Sequence, residues 1–399
     1  MTSTVVTPQR TALLALAAIV MTALNLRTAV TGFSPLLETI GADLGFGPSL
    51  YGAFGTIVTA SFAVFGVVAA GAARRFGLER TLAAATLVTT AGLVLRALSP
   101  SPLALVLSSV VAFAGVGTSN VLIVPIVKRY FADRLKAISS LYLALLQAGQ
   151  FVAPLVAVPL ASAVDWRFAV GVWAALTAVA CLLWAALARQ GGAGAAAAAA
   201  PTPLVGAWRT RLLWAMVLML GTTALNTYAI ITWLPTILVD AGADPAQGGA
   251  LLALFSIFGL GAAFVVPPLT LGMRNPSIVV VVCVALLAVG YVGLLVAPLA
   301  GAVVWVVCLG LGVSTFPMTL TLVNARTRST AGSSVLSGAT QGLGYALACA
   351  GPLLIGLIYE AQGSWTGSYV FLLASLVVLL VSGIAASRPR FLEDETSAR

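Results

Sequence analysis

Along the chain, apolar runs of about 20 residues recur between charged clusters and Gly/Pro breaks, and at about 1.5 Å per helical residue each crosses a bilayer of about 30 Å. The pattern predicts twelve helices, roughly at 12–38, 49–73, 79–98, 102–127, 137–162, 167–188, 210–239, 247–272, 276–297, 301–324, 332–359 and 366–386. Between the sixth and seventh lies "RQGGAGAAAAAAPTP" from Arg189, a low-complexity stretch unable to build a core. The expected class is an all-α membrane protein of twelve transmembrane helices in two pseudo-symmetric six-helix bundles. Residues 1–188 form the first bundle, 189–208 a cytoplasmic linker, and 209–399 the second bundle with a cytoplasmic tail. The first run continues past Asn25 and Arg27 without a small-residue cleavage site, so it reads as a membrane helix rather than a signal peptide.

Composition supports this class: 60% of residues are hydrophobic and 8% charged, against about 25% charged in soluble domains. A net charge of +9 would suit nucleic acid, but the cations form no basic face and fall in short clusters between the apolar runs. With the N-terminus inside, seventeen Lys and Arg residues lie in the cytoplasm, only Arg96 and Arg167 face out, and Arg27 stays in the membrane. Both termini are therefore expected in the cytoplasm, in a multi-pass protein of the cytoplasmic membrane. No nucleic-acid partner is expected. Histidine is absent and the four cysteines occupy separate apolar segments, so no metal, cofactor or disulfide framework is expected.

The halves repeat each other. "SPLLETIGADLG" from Ser34 and "LPTILVDAGADP" from Leu234 share a proline at an offset of 200 residues, then an acid and Gly-Ala-Asp. "VPLASAVDWRF" and "GPLLIGLIYEAQGSW" rhyme at the ends of the fifth and eleventh helices. Duplicated helical bundles of this kind rock about a site near the membrane midplane. Pro35, Pro125, Pro154, Pro235, Pro317 and Pro352 are expected to interrupt six helices and permit bends.

Arg27 is the only charged residue between Arg10 and Glu38, 17 residues past the first and 11 before the second. A central Arg costs about 2.5–3.5 kcal/mol even on translocon scales, and such residues face a bundle interior or a wet cavity. Arg27 is expected in the central cavity, with Thr31 and Ser34 on its face. Ser334, Ser337, Gln341 and Tyr345 form a polar stripe on the eleventh helix, and Ser140, Gln147 and Gln150 a comparable one on the fifth. Substrate contact and helix-to-helix bonding are both open for these stripes. Asn226 and Trp233 share a face of the seventh helix, where Trp233 is either an aromatic cap or an interfacial anchor, and Asn120 is placed to line the cavity from the fourth. All eleven acids fall toward one edge or the other and none at the midplane; Glu38 is the nearest coupling candidate. An enzyme would need clustered acids, bases or metal ligands, which this sequence lacks, so no catalytic residue is assigned.

The stretches "LNLRTAVTGFSPLLETIGADLG", "ARRFGLER", "SNVLIVPIVKRYF", "WLPTILVDAG" and "SGATQGLGYALACAGPLLIGL" resemble the major facilitator superfamily, and within it the cyanate permease family, which includes 2-nitroimidazole exporters. The resemblance spans the chain. It implies a monomeric secondary transporter that takes a small-molecule substrate, sits among membrane lipids and works by alternating access. The substrate would be small and anionic or strongly polar, cyanate-like, with Arg27 as central cationic contact. The alternative it implies is an exporter of neutral compounds such as nitroheterocycles, held mainly by Trp233 and Tyr345. The gating loop after the second helix would comprise Arg74, Arg75, Gly77 and Arg80. It departs from the family pattern, because Arg74 stands where an Asp is usual and leaves Glu79 or another acid to substitute.

Overall fold

The structure, a computed structural model, describes residues 9–190 and 206–397. Most of the expected linker, the side chains of Lys136, Ser140 and Ser334, and Arg399 lie outside the described residues. Among the described residues, twelve helices are long and apolar enough to cross a membrane. They are α1 (Gln9–Leu44), α2 (Pro48–Phe76), α3 (Leu78–Ala97), α4 (Pro102–Tyr130), α5 (Leu135–Ala163) and α6 (Trp166–Arg189). The second six are α7 (Arg211–Asp240), α8 (Pro245–Gly272), α9 (Ser277–Val296), α10 (Ala302–Ala325), α11 (Thr330–Ala348 continued by Ala350–Gln362) and α12 (Thr366–Ser387). A short helix, α13 (Leu392–Ser397), follows. The apolar pattern located each span to within a few residues, except that α1 runs on to Leu44.

Three of the six expected proline interruptions are breaks. In α1 the helix stops at Thr31, a single 3-10 turn covers Ser34–Leu36 around Pro35, and helix resumes at Leu37. In α10 and α11 the breaks fall just before Pro317 and Pro352. A proline has no N–H to give the carbonyl four residues earlier, so that carbonyl needs another donor; Val313 O, for example, accepts from Phe316 N instead. Pro125, Pro154 and Pro235 instead lie within continuous helices. One lost bond in a helix of about 30 residues is tolerated when neighbouring helices enclose the gap. Helix starts are closed by side chains: Ser101, Asp165, Thr210, Asp244 and Ser329 each accept from a backbone N–H of the first turn.

The chain divides into two compact units, residues 1–33 with 64–198, and 34–63 with 199–399. In the first, α3 packs between α4 and α6, and the Gln9–Thr31 part of α1 packs on α5 and α6. Gly92 lets α3 approach α4 so closely that any Cβ there would collide with the Ala112 backbone. In the second unit α7 is central, packed by α11, α12, α8 and α10, and is the most enclosed span. Its N-terminal end is tied to α13. Glu393 accepts from the Arg328 and Ser329 amides and the Ser329 hydroxyl at 2.8–3.1 Å, Arg328 pairs with Asp394 at 2.7 Å, and Leu212 N donates to Glu395 at 3.2 Å. Carboxylates thus sit at the N-terminal ends of α11 and α7, where helix dipoles favour negative charge. Burial pushes the Glu393 carboxyl up, but the Ser329 hydroxyl and backbone amides outweigh it and hold it below the ordinary value of 4.5.

Two outcomes follow from this packing. Gly92→Leu lowers the thermal unfolding midpoint in detergent, at a cost of roughly 1–3 kcal/mol, whereas Gly71→Leu, with open space around residue 71, does not. Because Glu393 is depressed in the folded state, α13 docking is complete above the unfolded Glu pKa of about 4.3 and is lost as pH falls through the lower folded value. A nitroxide at position 397 becomes mobile on acidification in the wild type, and is already mobile at neutral pH in Glu393→Gln.

Candidate functional site

In the first unit the α1 segment before the break carries Arg27, half-buried in the middle of the span. Thr31, fully buried, donates its hydroxyl to the Arg27 carbonyl at 3.1 Å, which ties Thr31 to its own helix. Asn25 points away from this face, donating to the Trp173 carbonyl at 3.0 Å. Gly149 brings α5 against Leu24 and Thr28 of α1, because a Cβ there would overlap the Leu24 carbonyl. That approach places the neighbouring Gln150, buried, and Gln147, half-buried, on the helix packed beside Arg27. Asn120 is half-buried on α4.

Arg96 differs from the sequence expectation. Expected to face out near the end of the third helix, it is fully buried there. Its Nη1 donates to the Ala29 carbonyl at 3.1 Å, and its guanidinium lies 3.9 Å from the Phe33 ring centroid and 5.2 Å from that of Phe113. The nearby break in α1 turns the Phe33 N–H to Val30 O, leaving the Ala29 carbonyl for Arg96. A cation at the C-terminal end of a helix segment is electrostatically favourable.

In the second unit Asn226 is fully buried. Its amide donates to Thr222 O at 2.8 Å and the Ser375 hydroxyl at 2.9 Å, and its carbonyl accepts from Tyr291 at 2.7 Å. This network joins α7, α9 and α12. Trp233 is buried, with its indole donating to Pro352 O at 2.9 Å and its ring against Tyr51 and Trp365. Tyr345 is buried in an aromatic triad with Phe62 and Tyr228, ring centroids 5.5–6.3 Å apart. Gln341 bonds its own stripe, donating to the Ser337 hydroxyl at 2.9 Å. Ser34, whose hydroxyl donates toward the Ile231 and Thr232 carbonyls, holds the outset of the second α1 segment on α7.

The repeated motif brings its two acids into one cluster. Glu38 lies within electrostatic reach of Asp240, with Thr236 beside it. Asp240 accepts from Tyr359 at 2.7 Å and from the Trp365 indole at 3.1 Å, and those two rings stack at 4.0 Å. In the first unit, Arg74, Arg75 and Arg80 are exposed around Gly77. Glu79 is buried there, pairing with Arg129 at 3.2 Å and accepting from Tyr130 at 2.9 Å. Sequence reading did not anticipate the buried contacts of Arg96, Phe62, Tyr228, Tyr291 and Ser375. The first was hidden by its place at a helix end, and the others by partners more than 60 residues distant.

Twelve apolar helices with buried polar networks and an intramembrane arginine define a polytopic membrane carrier. The chain belongs to the Major Facilitator Superfamily, whose profile matches residues 14–350, and is a secondary transporter for a small-molecule substrate. It is 31% identical over 377 residues to the 2-nitroimidazole transporter of Escherichia coli (strain K12), covering 94% of this chain and 95% of that one. It is 23% identical over 376 residues to the cyanate transport protein CynX of the same organism, covering 94% and 97%. Among solved structures, a bacterial homolog of the human lysosomal transporter Spinster, inward-facing and occupied, superposes with a TM-score of 0.78 at 17% identity, covering 98% of this chain and 99% of that one.

The Asn226 network yields a separable outcome. Tyr291→Phe strands the buried Asn226 carbonyl and costs about 1–3 kcal/mol, read as a lower unfolding midpoint, while Gln341→Ala leaves the midpoint unchanged.

Proposed function

We propose that this transporter carries a small anionic or strongly polar solute across the cytoplasmic membrane by alternating access, with Arg27 as its cationic contact. The observation that carries this reading is a guanidinium midway along a span in which no other charge occurs between Arg10 and Glu38. In low dielectric a guanidinium attracts anions strongly, and its planar fork suits small oxyanions and nitrogen- or oxygen-rich groups. The relative named for cyanate transport handles a linear monoanion, which fits such a fork. Asn120, Gln147 and Gln150 supply neutral donors and acceptors from the helices of the same unit, and Gln341 and Tyr345 are the contributions of the second half; Thr31, Asn226 and Trp233, whose polar atoms are taken up by helix partners, hold the helices that carry these groups. The positive-inside bias orients both termini to the cytoplasm. Residues 1–188 and 209–399 act as the two bundles, with Arg74, Arg75, Gly77 and Arg80 as the gating loop. Glu38, beside Asp240, is the coupling group.

A second reading is favoured by the Phe62–Tyr228–Tyr345 triad and by the relative named for 2-nitroimidazole: a neutral, planar nitroheterocycle recognised mainly by aromatic faces. In proteoliposomes, Arg27→Ala reduces uptake of labelled cyanate at least tenfold, and Arg27→Lys restores it only in part because it keeps charge without the fork. Uptake by well-folded Arg27→Ala equal to that of wild type contradicts the first reading. If nitroheterocycle flux in that variant is kept but is lost in Tyr345→Ala, the second holds.

A further inference from the structure

The first unit contains another buried arginine, at the last turn of α3, and Arg96 is more completely enclosed than Arg27. One of its nitrogens bonds the Ala29 carbonyl, while Nε and Nη2 are buried with no acceptor. Its other contacts are the faces of Phe33 and Phe113. Burying a charge is expensive unless charged or polar groups satisfy it, and two aromatic faces and one carbonyl do so only partly. A second donor at the same turn of α1 is in a similar condition: the Trp173 indole nitrogen is buried without an acceptor. It packs so near Gly32 that a Cβ there would lie 3.2 Å from it. Three buried N–H donors thus flank residues 29–33 in a segment where the helix is interrupted. Donors of this kind suit an acceptor-rich, negatively charged guest, and a helix cap alone needs only Nη1.

Resting on the anion reading above, we propose that Arg96 is a second anion-binding residue, a subsite for small monoanions such as nitrate or cyanate at the α1 break. Phe33 covers the guanidinium in this conformation, so displacement of Phe33 admits the anion. The indole of Trp173 supplies a further donor. Arg96 Nη1 stays on the Ala29 carbonyl throughout, which leaves Nε and Nη2 for the guest.

The test is calorimetric binding of nitrate and of cyanate to the purified full-length protein, wild type and variants, with unfolding midpoints measured alongside. Arg96→Gln is expected to weaken both anions at least tenfold, Arg96→Lys less, and Trp173→Phe several-fold. A residue that only caps the helix would lower the midpoint and leave the affinity of the folded protein unchanged, so wild-type affinity in folded Arg96→Gln overturns the proposal. Should that variant fail to fold, Trp173→Phe decides: weakened binding supports the subsite, and wild-type affinity overturns it. Loss of binding in Arg27→Ala with full binding in Arg96→Gln rejects the Arg96 assignment alone. No binding of either anion by the wild type rejects the anion reading together with it.

Discussion

A guanidinium taken out of water must be solvated by protein or by what the protein carries, and the first unit keeps one midway along α1 and another, enclosed by protein, at the last turn of α3. The cost of a central arginine is several kcal/mol by the lowest scales, enough to be eliminated unless something is gained. Arg27 stands midway along the first span, and Arg96 folds from the end of α3 onto the break in that same span. The local architecture around them follows from that requirement. Gly149 brings α5 against α1 beside Arg27, and the break at Gly32–Pro35 supplies the carbonyl that Arg96 takes.

The second constraint is that backbone groups in a bilayer have no water to fall back on. Breaks in α1, α10 and α11 are therefore accompanied by substitute partners. Phe33 N turns to Val30 O at the α1 break, Phe316 N to Val313 O at the α10 break and Cys349 N to Ala346 O at the α11 break, while in the unbroken α7 the Ser34 hydroxyl takes the Ile231 carbonyl that Pro235 cannot bond. Side chains that sequence alone presents as site lining are in several cases engaged in packing between helices. Asn226 has its amide and carbonyl engaged by partners on three helices, and Phe62, Tyr228 and Tyr345 are in mutual ring contact.

The helices were legible because span length and apolar composition are local properties, and Arg27 because one charge in a long uncharged run is conspicuous. The repeat around Pro35 and Pro235 was legible too, and it anticipates the clustering of Glu38 with Asp240. Arg96 was not, since an arginine at the last turn of a span ordinarily snorkels to the interface, and only the nearby break in α1 draws it inward. Nor were the partners of Asn226, because Tyr291 and Ser375 are brought to it by packing across α7, α9 and α12 rather than by any spacing. Prolines were half legible: the sequence marks where a donor is missing, while surrounding helices decide whether the missing bond becomes a break.

With Arg27 as the proposed contact, charge, and not shape or apolar surface, selects the solute. The most direct measurement is competition in wild-type proteoliposomes, with labelled cyanate counterflow challenged by nitrate and by neutral nitromethane, which presents the same planar nitrogen and oxygen atoms without the charge. Selection by charge predicts that nitrate suppresses counterflow while nitromethane at equal concentration leaves it intact. Equal suppression by both would contradict it.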